Sequence, residues 1–153
     1  MDLPRSHAGS LTICHDGSYM PLLANNICSC AVVFYCSSKD SYVEITWVEK
    51  STRRLANNYW AEILGGCCAQ LIVNAAITGW NVARSAIPEF GCDNMGIVLH
   101  KTQHQCPLRE KQAQADILRC FKSLVSTSRI GGRMTHINGH MDWHLHLNGN
   151  IMH

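Results

Sequence analysis

Apolar residues pass from strand spacing to helical spacing between Glu49 and Trp60, and that change limits the folds open to this chain. Before it lie three runs with strand character. Ser10 to Tyr19 (SLTICHDGSY) alternates β-prone with polar residues and carries the turn signal Asp16-Gly17 near its end. Cys28 to Ser37 (CSCAVVFYCS) is a continuous β-branched and aromatic run, the pattern of a strand buried on both faces. Tyr42 to Glu49 sets Val43, Ile45 and Trp47 against Glu44 and Thr46, so the three runs together predict an antiparallel meander.

After the change, Trp60, Ile63, Leu64, Cys67, Cys68, Leu71, Ile72 and Ala75 recur at helical spacing, which predicts an amphipathic helix over about Asn58 to Ala76. Asn57 or Asn58 caps its start and puts Glu62 in or near the first turn. Gly65 and Gly66 each cost a helix about 1 kcal/mol relative to alanine, so their presence predicts close packing of the helix backbone on a sheet. Ser85 to Cys92, interrupted by Pro88, leaves room only for a brief strand. Asp93-Asn94 is a helix-start signal before Met95, Val98 and Leu99. A second long helix is expected from about Arg109 to Ser126, then Gly131-Gly132 and a last strand in RMTHINGH. Trp60, Cys67, Leu71 and Phe121 are the expected core residues of the two long helices. The order describes an α/β domain, a central mixed sheet of three antiparallel strands followed by helix-connected strands.

With 153 residues, 46% hydrophobic and 16% charged, the chain has the size and composition of one folded domain and lies outside the disordered regime. Residues 1–10 read as an N-terminal extension and 11–153 as the domain. The best apolar stretch, Ile63 to Ile77, is broken by two glycines, Gln70 and Asn74, so no membrane span is expected. Met1 to Ser10 shows no secretory h-region, and an intracellular location, cytoplasmic or nuclear, is the expectation. Nine cysteines, an odd number and several inside apolar runs, fit small buried hydrophobes better than a disulfide framework. A net charge of +2 permits nucleic-acid binding without arguing for it.

Three carboxylates stand where apolar elements begin or end: Asp16, Glu62 and Asp93. Each alone is an ordinary turn or cap residue. Brought to one end of a sheet, the three would bind a hard divalent cation such as magnesium. The motifs carrying them are Asp16-Gly17-Ser18, then Asn57 to Glu62 (NNYWAE), then Cys92-Asp93-Asn94, followed by His136-Ile137-Asn138-Gly139-His140. In that order, from about Leu11 to Asn150, they resemble the ribonuclease H family, most of all the ribonuclease H domains of retroelement reverse transcriptases.

The resemblance implies a ribonuclease H-like fold and an endonuclease that hydrolyses the RNA strand of an RNA/DNA hybrid by two-metal catalysis. It implies Mg2+ as cofactor, with Mn2+ as a substitute. Carried over residue by residue, Asp16, Glu62 and Asp93 hold the metals, and His140 assists proton transfer or product release. Ser18, Asn58, Tyr59 and Asn94 are the implied substrate contacts, with Asn25, Asn26 and Trp60 as further candidates for reading the hybrid by shape. A reverse transcriptase in the same polyprotein is an implied partner. The family's last carboxylate has no acidic counterpart here: an ungapped comparison reaches Asn150, the reverse-transcriptase pattern starting at Leu147-Asn148 reaches Met152, and Asp142 lies nearer His140 than the family's Asp does. The alternative is therefore a noncatalytic nucleic-acid or protein-binding module on the same fold. Zinc is a weaker reading, because His136 with His140, His144 with His146, and His100, His104 and Cys106 all lack a matched Cys-x2-Cys pair. A Cys/His nucleophile lacks an activating context.

Overall fold

A computed structural model describes residues 11–22, 26–50, 56–80, 87–109 and 111–138. The proposed N-terminal extension and, at the other end, His140, Asp142, Asn150 and Met152 lie outside the described residues, as does Asn25. The elements run β1 (Leu11–Tyr19), β2 (Ile27–Cys36), β3 (Ser41–Lys50), α1 (Asn58–Trp80), β4 (Glu89–Cys92), α2 (Met95–Thr102), α3 (Ala115–Ser126) and β5 (Arg133–His136). One five-stranded sheet has the order β3-β2-β1-β4-β5. β1, β2 and β3 pair antiparallel, whereas β4 lies parallel to β1 and β5 parallel to β4, so the sheet is mixed as the sequence pattern predicts.

The β1–β4 register positions the later chemistry. Ile13 stands opposite Phe90 and Cys14 opposite Gly91. Continued by two residues along parallel strands, that register carries Asp16 and Asp93 to the same end of the sheet, side by side.

Helix α1 lies across one face of the sheet. Ile13 and Val32 from that face meet Ile63, Cys67, Ala69 and Val73 from α1, and Phe121, Leu118 and Ile117 of α3 close the core from outside. A smaller cluster of Cys28, Ala56 and Ala61, packed by Trp60 and Tyr19, seals the end near the start of α1. The glycine pair fits the expectation of close packing: a side chain at Gly65 would come within 3.0 Å of His15 Nδ1, and one at Gly66 within 3.0 Å of the Phe121 ring. Gly17 is more constrained still, since a Cβ there would overlap the backbone of Ala61 and Glu62.

Several expectations are corrected. Leu71 is 56% exposed, and Gln70 takes the core position beside it at 2%. α1 carries apolar residues on nearly every side, so their spacing alone does not fix which side faces the sheet. By length and composition α1 is even apolar enough to cross a membrane; here it packs against the sheet and α3. Trp60 is only partly buried, while Cys67 and Phe121 are in the core as expected. α3 begins at Ala115 rather than near Arg109, because Gln114 adopts a left-handed conformation (φ 57°) that a helix cannot run through. β2 is buried on the α1 face only, through Cys28, Cys30 and Val32, and β3, at the sheet edge, leaves Val43, Trp47 and Val48 exposed. Of the nine cysteines, all free, four are buried, three intermediate, and Cys106 and Cys120 exposed.

Gln70 is held in the core by polar partners. Its Oε1 accepts from Lys101 Nζ at 2.8 Å, and its Nε2 donates to Asn74 Oδ1 at 3.0 Å and Ser128 Oγ at 3.2 Å. Lys101, 6% exposed, also sits over the Phe90 ring, and burial pulls its ammonium down to about 7.

These burials set a stability contrast. Ile63→Ala should cost about 2–5 kcal/mol in urea unfolding, whereas Leu71→Ala should cost less than about 1 kcal/mol. Equal costs at the two positions would show that the helix sits in a different rotation on the sheet.

Candidate metal centre

The site forms just past the paired stretch of β1 and β4, against the first turns of α1. Asp16 is exposed, and its Oδ1 accepts the Gly17 N–H at 2.8 Å, which bends the carboxylate back along its own strand. Asn57 caps α1, its Oδ1 accepting from Trp60 N at 2.8 Å, and so fixes the helix start. Glu62 therefore falls at the opening of the second turn rather than in the first, with no acidic residue in the first turn. Close contact of Gly17 with the Ala61–Glu62 backbone then brings the Glu62 carboxylate against β1.

Asp93 directly follows β4. The next residue, Asn94, caps α2 by accepting from Gly96 N at 3.0 Å and Ile97 N at 3.4 Å. The Asp93 carbonyl oxygen lies 2.9 Å from His136 Nε2, which donates to it in the Nε2–H tautomer and ties the end of β4 to the end of β5. One carboxylate oxygen from each of Asp16, Glu62 and Asp93 lies within 4.8 Å of the others.

Electrostatically the three are unequal. Glu62 is 7% exposed, its Oε2 has no hydrogen-bond partner, and its pKa rises to about 8. Burial is the main cause, followed by the negative charges of Asp16 and then Asp93. An all-oxygen set with one buried, unpartnered oxygen fits a hard divalent cation, whose charge would offset the mutual repulsion of the carboxylates.

The other residues singled out from sequence lie on β1, just before β2, at the start of α1 and at the cap of α2. Ser18 and Asn58 are exposed, and Tyr59 and Asn94 are half-buried. Tyr59 lies over the start of α2, where a side chain at Gly96 would come within 3.5 Å of both its hydroxyl and Asn94 Oδ1. Asn26 and Trp60 are half-buried, Trp60 with its Nε1 unpartnered. Of the sets weighed as zinc ligands, His100, His104 and Cys106 do not come together, and His104 instead turns its Nδ1 to the Lys101 carbonyl at 3.1 Å, while His140, His144 and His146 lie outside the described residues.

Sequence reasoning missed His15 and Cys92. Each stands beside one of the carboxylates, and both are buried next to Glu62. Strand periodicity holds the signal: in β1 the residue preceding an outward Asp16 points to the α1 face.

The raised Glu62 pKa has a definite sign in stability. Between its ordinary value near 4.5 and about 8, the unfolded chain has released a proton that the folded, metal-free chain still holds, so this group lowers stability as pH rises through that window. In EDTA, the unfolding free energy of Glu62→Gln should gain on the wild type from pH 5 to pH 8, by on the order of a few kcal/mol. A difference that stays flat with pH would mean that Glu62 ionises normally.

No protein-family model and no curated protein matches this sequence, whereas solved structures do. LC11-RNase H1, isolated from compost by a metagenomic approach and solved in complex with an RNA/DNA hybrid, superposes with a TM-score of 0.63 at 14% identity, over 85% of this chain and 86% of that one. RNase H1 from the archaeon Halobacterium salinarum gives 0.59 at 17% identity over 86% and 87%. The N-terminal RNase H domain of a Mycobacterium tuberculosis protein gives 0.59 at 13% identity over 86% and 84%. The overlaps cover most of both chains in every case, and this chain has the ribonuclease H fold.

Proposed function

We propose that this chain is a metal-dependent endoribonuclease acting on the RNA strand of RNA/DNA hybrids. The carrying observation is the convergence of Asp16, Glu62 and Asp93 from three separate elements, one of them buried and without a partner. Hydrolysis of a phosphodiester builds negative charge on phosphorus-bound oxygens, and a carboxylate-held Mg2+ or Mn2+ supplies the neutralising charge and a more acidic bound water. The solved complex of LC11-RNase H1 with an RNA/DNA hybrid supports this choice of substrate through the shared fold.

The chain's own residues divide the work. Glu62 anchors from the buried side, and Asp16, exposed, faces the side from which a nucleic-acid backbone can approach. His136 holds the Asp93 segment against β5 and so limits its drift. Ser18, Asn58, Tyr59 and Asn94 surround the opening with hydroxyl, amide and aromatic groups, suited to reading sugar edges and strand shape rather than base sequence. His140 and a fourth ligand, whether Asp142 or Asn150, complete the proposal from the segment beyond Asn138. A neutral Asn150 carbonyl binds Mg2+ more weakly than a carboxylate, and a methionine at that place offers it nothing useful. Attachment to a reverse transcriptase and an intracellular location, where hybrids arise, belong to the same proposal.

A labelled hybrid should lose its RNA strand in Mg2+, remain whole in EDTA, and be cut roughly a hundredfold or more slowly by Asp16→Asn. Retention of the hybrid without cleavage in either Mg2+ or Mn2+ would make the chain a binding module. Asn150→Asp should raise the rate if Asn150 holds the fourth position, and Met152→Asp if Met152 does. Robust wild-type cleavage abolished by Asp142→Asn would assign that position to Asp142.

A further inference from the structure

Glu62 belongs to a second group of donors besides the acidic centre, a wholly buried one: His15 and Cys92 each bring a donor atom within 4.8 Å of the other and of a Glu62 carboxylate oxygen. All three side chains are buried: His15 is 2% exposed, Cys92 0% and Glu62 7%. Neither ring nitrogen of His15 has a hydrogen-bond partner, and neither has Glu62 Oε2. Buried polar groups in native proteins are nearly always paired, and no protein group pairs with either nitrogen of this imidazole, which leaves both free to take a ligand. α1 leaves the ring little freedom, since a side chain at Gly65 would come within 3.0 Å of its Nδ1. Cys92 Sγ accepts the Asn94 N–H at 3.3 Å, an outer contact that steadies a metal-bound thiolate.

We propose that His15, Cys92 and Glu62 form a second metal site, selective for a borderline divalent cation of the zinc class. One nitrogen, one sulfur and one oxygen donor suit Zn2+ and are a poor set for Mg2+, which takes oxygen. The thiolate and the carboxylate together balance the charge of the ion, so the buried complex is neutral and avoids the cost of an uncompensated interior charge. Three protein ligands leave a fourth position open, as in zinc sites that exchange a ligand. Glu62 belongs to both donor sets, so zinc draws it away from the acidic centre and opposes magnesium there. That consequence rests on the nuclease reading; the binding itself does not.

The test reads metal binding and needs no substrate. The reduced, metal-free full chain is titrated with Co2+, whose thiolate charge-transfer band in the near ultraviolet reports sulfur ligation. A one-to-one band is expected, competed away by Zn2+, lost in Cys92→Ser, retained in Asp93→Asn, and shifted to roughly tenfold or higher metal concentration in His15→Gln. Zinc X-ray absorption on the wild type should show a single sulfur at about 2.3 Å with nitrogen and oxygen neighbours, a result that does not depend on any variant folding. A band that survives Cys92→Ser, a band lost in Asp93→Asn, or a zinc shell with two or more sulfurs or none would each overturn the proposal.

Discussion

The site depends on the contact between Gly17 of β1 and the backbone of Ala61 and Glu62 in α1. No residue with a Cβ fits there, so strand and helix meet at a distance only glycine allows. With Glu62 fixed by that contact, the parallel β1–β4 register decides the rest, since it brings Asp93 to the level of Asp16. Three carboxylates then share a few ångströms because of backbone constraints that are local and independent of the charges. The fold imposes the repulsion instead of relieving it, and the Glu62 proton, held up to about pH 8, is the form that strain takes without a cation.

The same helix carries a second cost beneath the site. Gln70, Lys101 and His15 are all buried on the α1 side of the sheet, and two of the three are bonded to each other. Gln70 is the hub: it binds Lys101, Asn74 and Ser128, and Asn74 Nδ2 goes on to donate to the Leu124 carbonyl at 2.9 Å. These bonds join α1 to α2 and to the end of α3, and they fix the rotation of a helix whose apolar residues alone would tolerate several. His15 lies outside this network. Burial and the nearby Lys101 charge lower its pKa to about 4, so its imidazole is neutral and able to ligate at any ordinary pH.

How much of this was legible in the sequence follows from which signals are periodic. Strand runs, the long helix and the two helix starts rest on patterns of two and of three to four residues, so element order and the mixed sheet could be read directly. Asp93 was legible as the residue that follows β4 and Glu62 as one near the start of α1, whereas Asp16 lies inside β1, which runs on in its pairing with β2 to Tyr19, so the Asp16-Gly17 turn signal did not mark a strand end. The rotation of α1 was not, because Gln70 enters the core through bonds to residues 31 and 58 positions away, which spacing cannot reveal. His15 and Cys92 were passed over for a related reason. Each is a single residue on its own strand, and only the β1–β4 pairing makes them neighbours.

Two donor sets on one glutamate give the centre a chemical choice. On the solvent side Glu62 joins two oxygen ligands, a set for a hard cation that exchanges with water; on the core side it joins a nitrogen and a sulfur, a set that holds a softer ion away from water. A carboxylate has two oxygens, but the negative charge that would stabilise either ion is one, so filling one set weakens the other. Burial and the facing charges of Asp16 and Asp93 hold the Glu62 pKa up to about 8, so a cation in either set binds near neutral pH by displacing a proton.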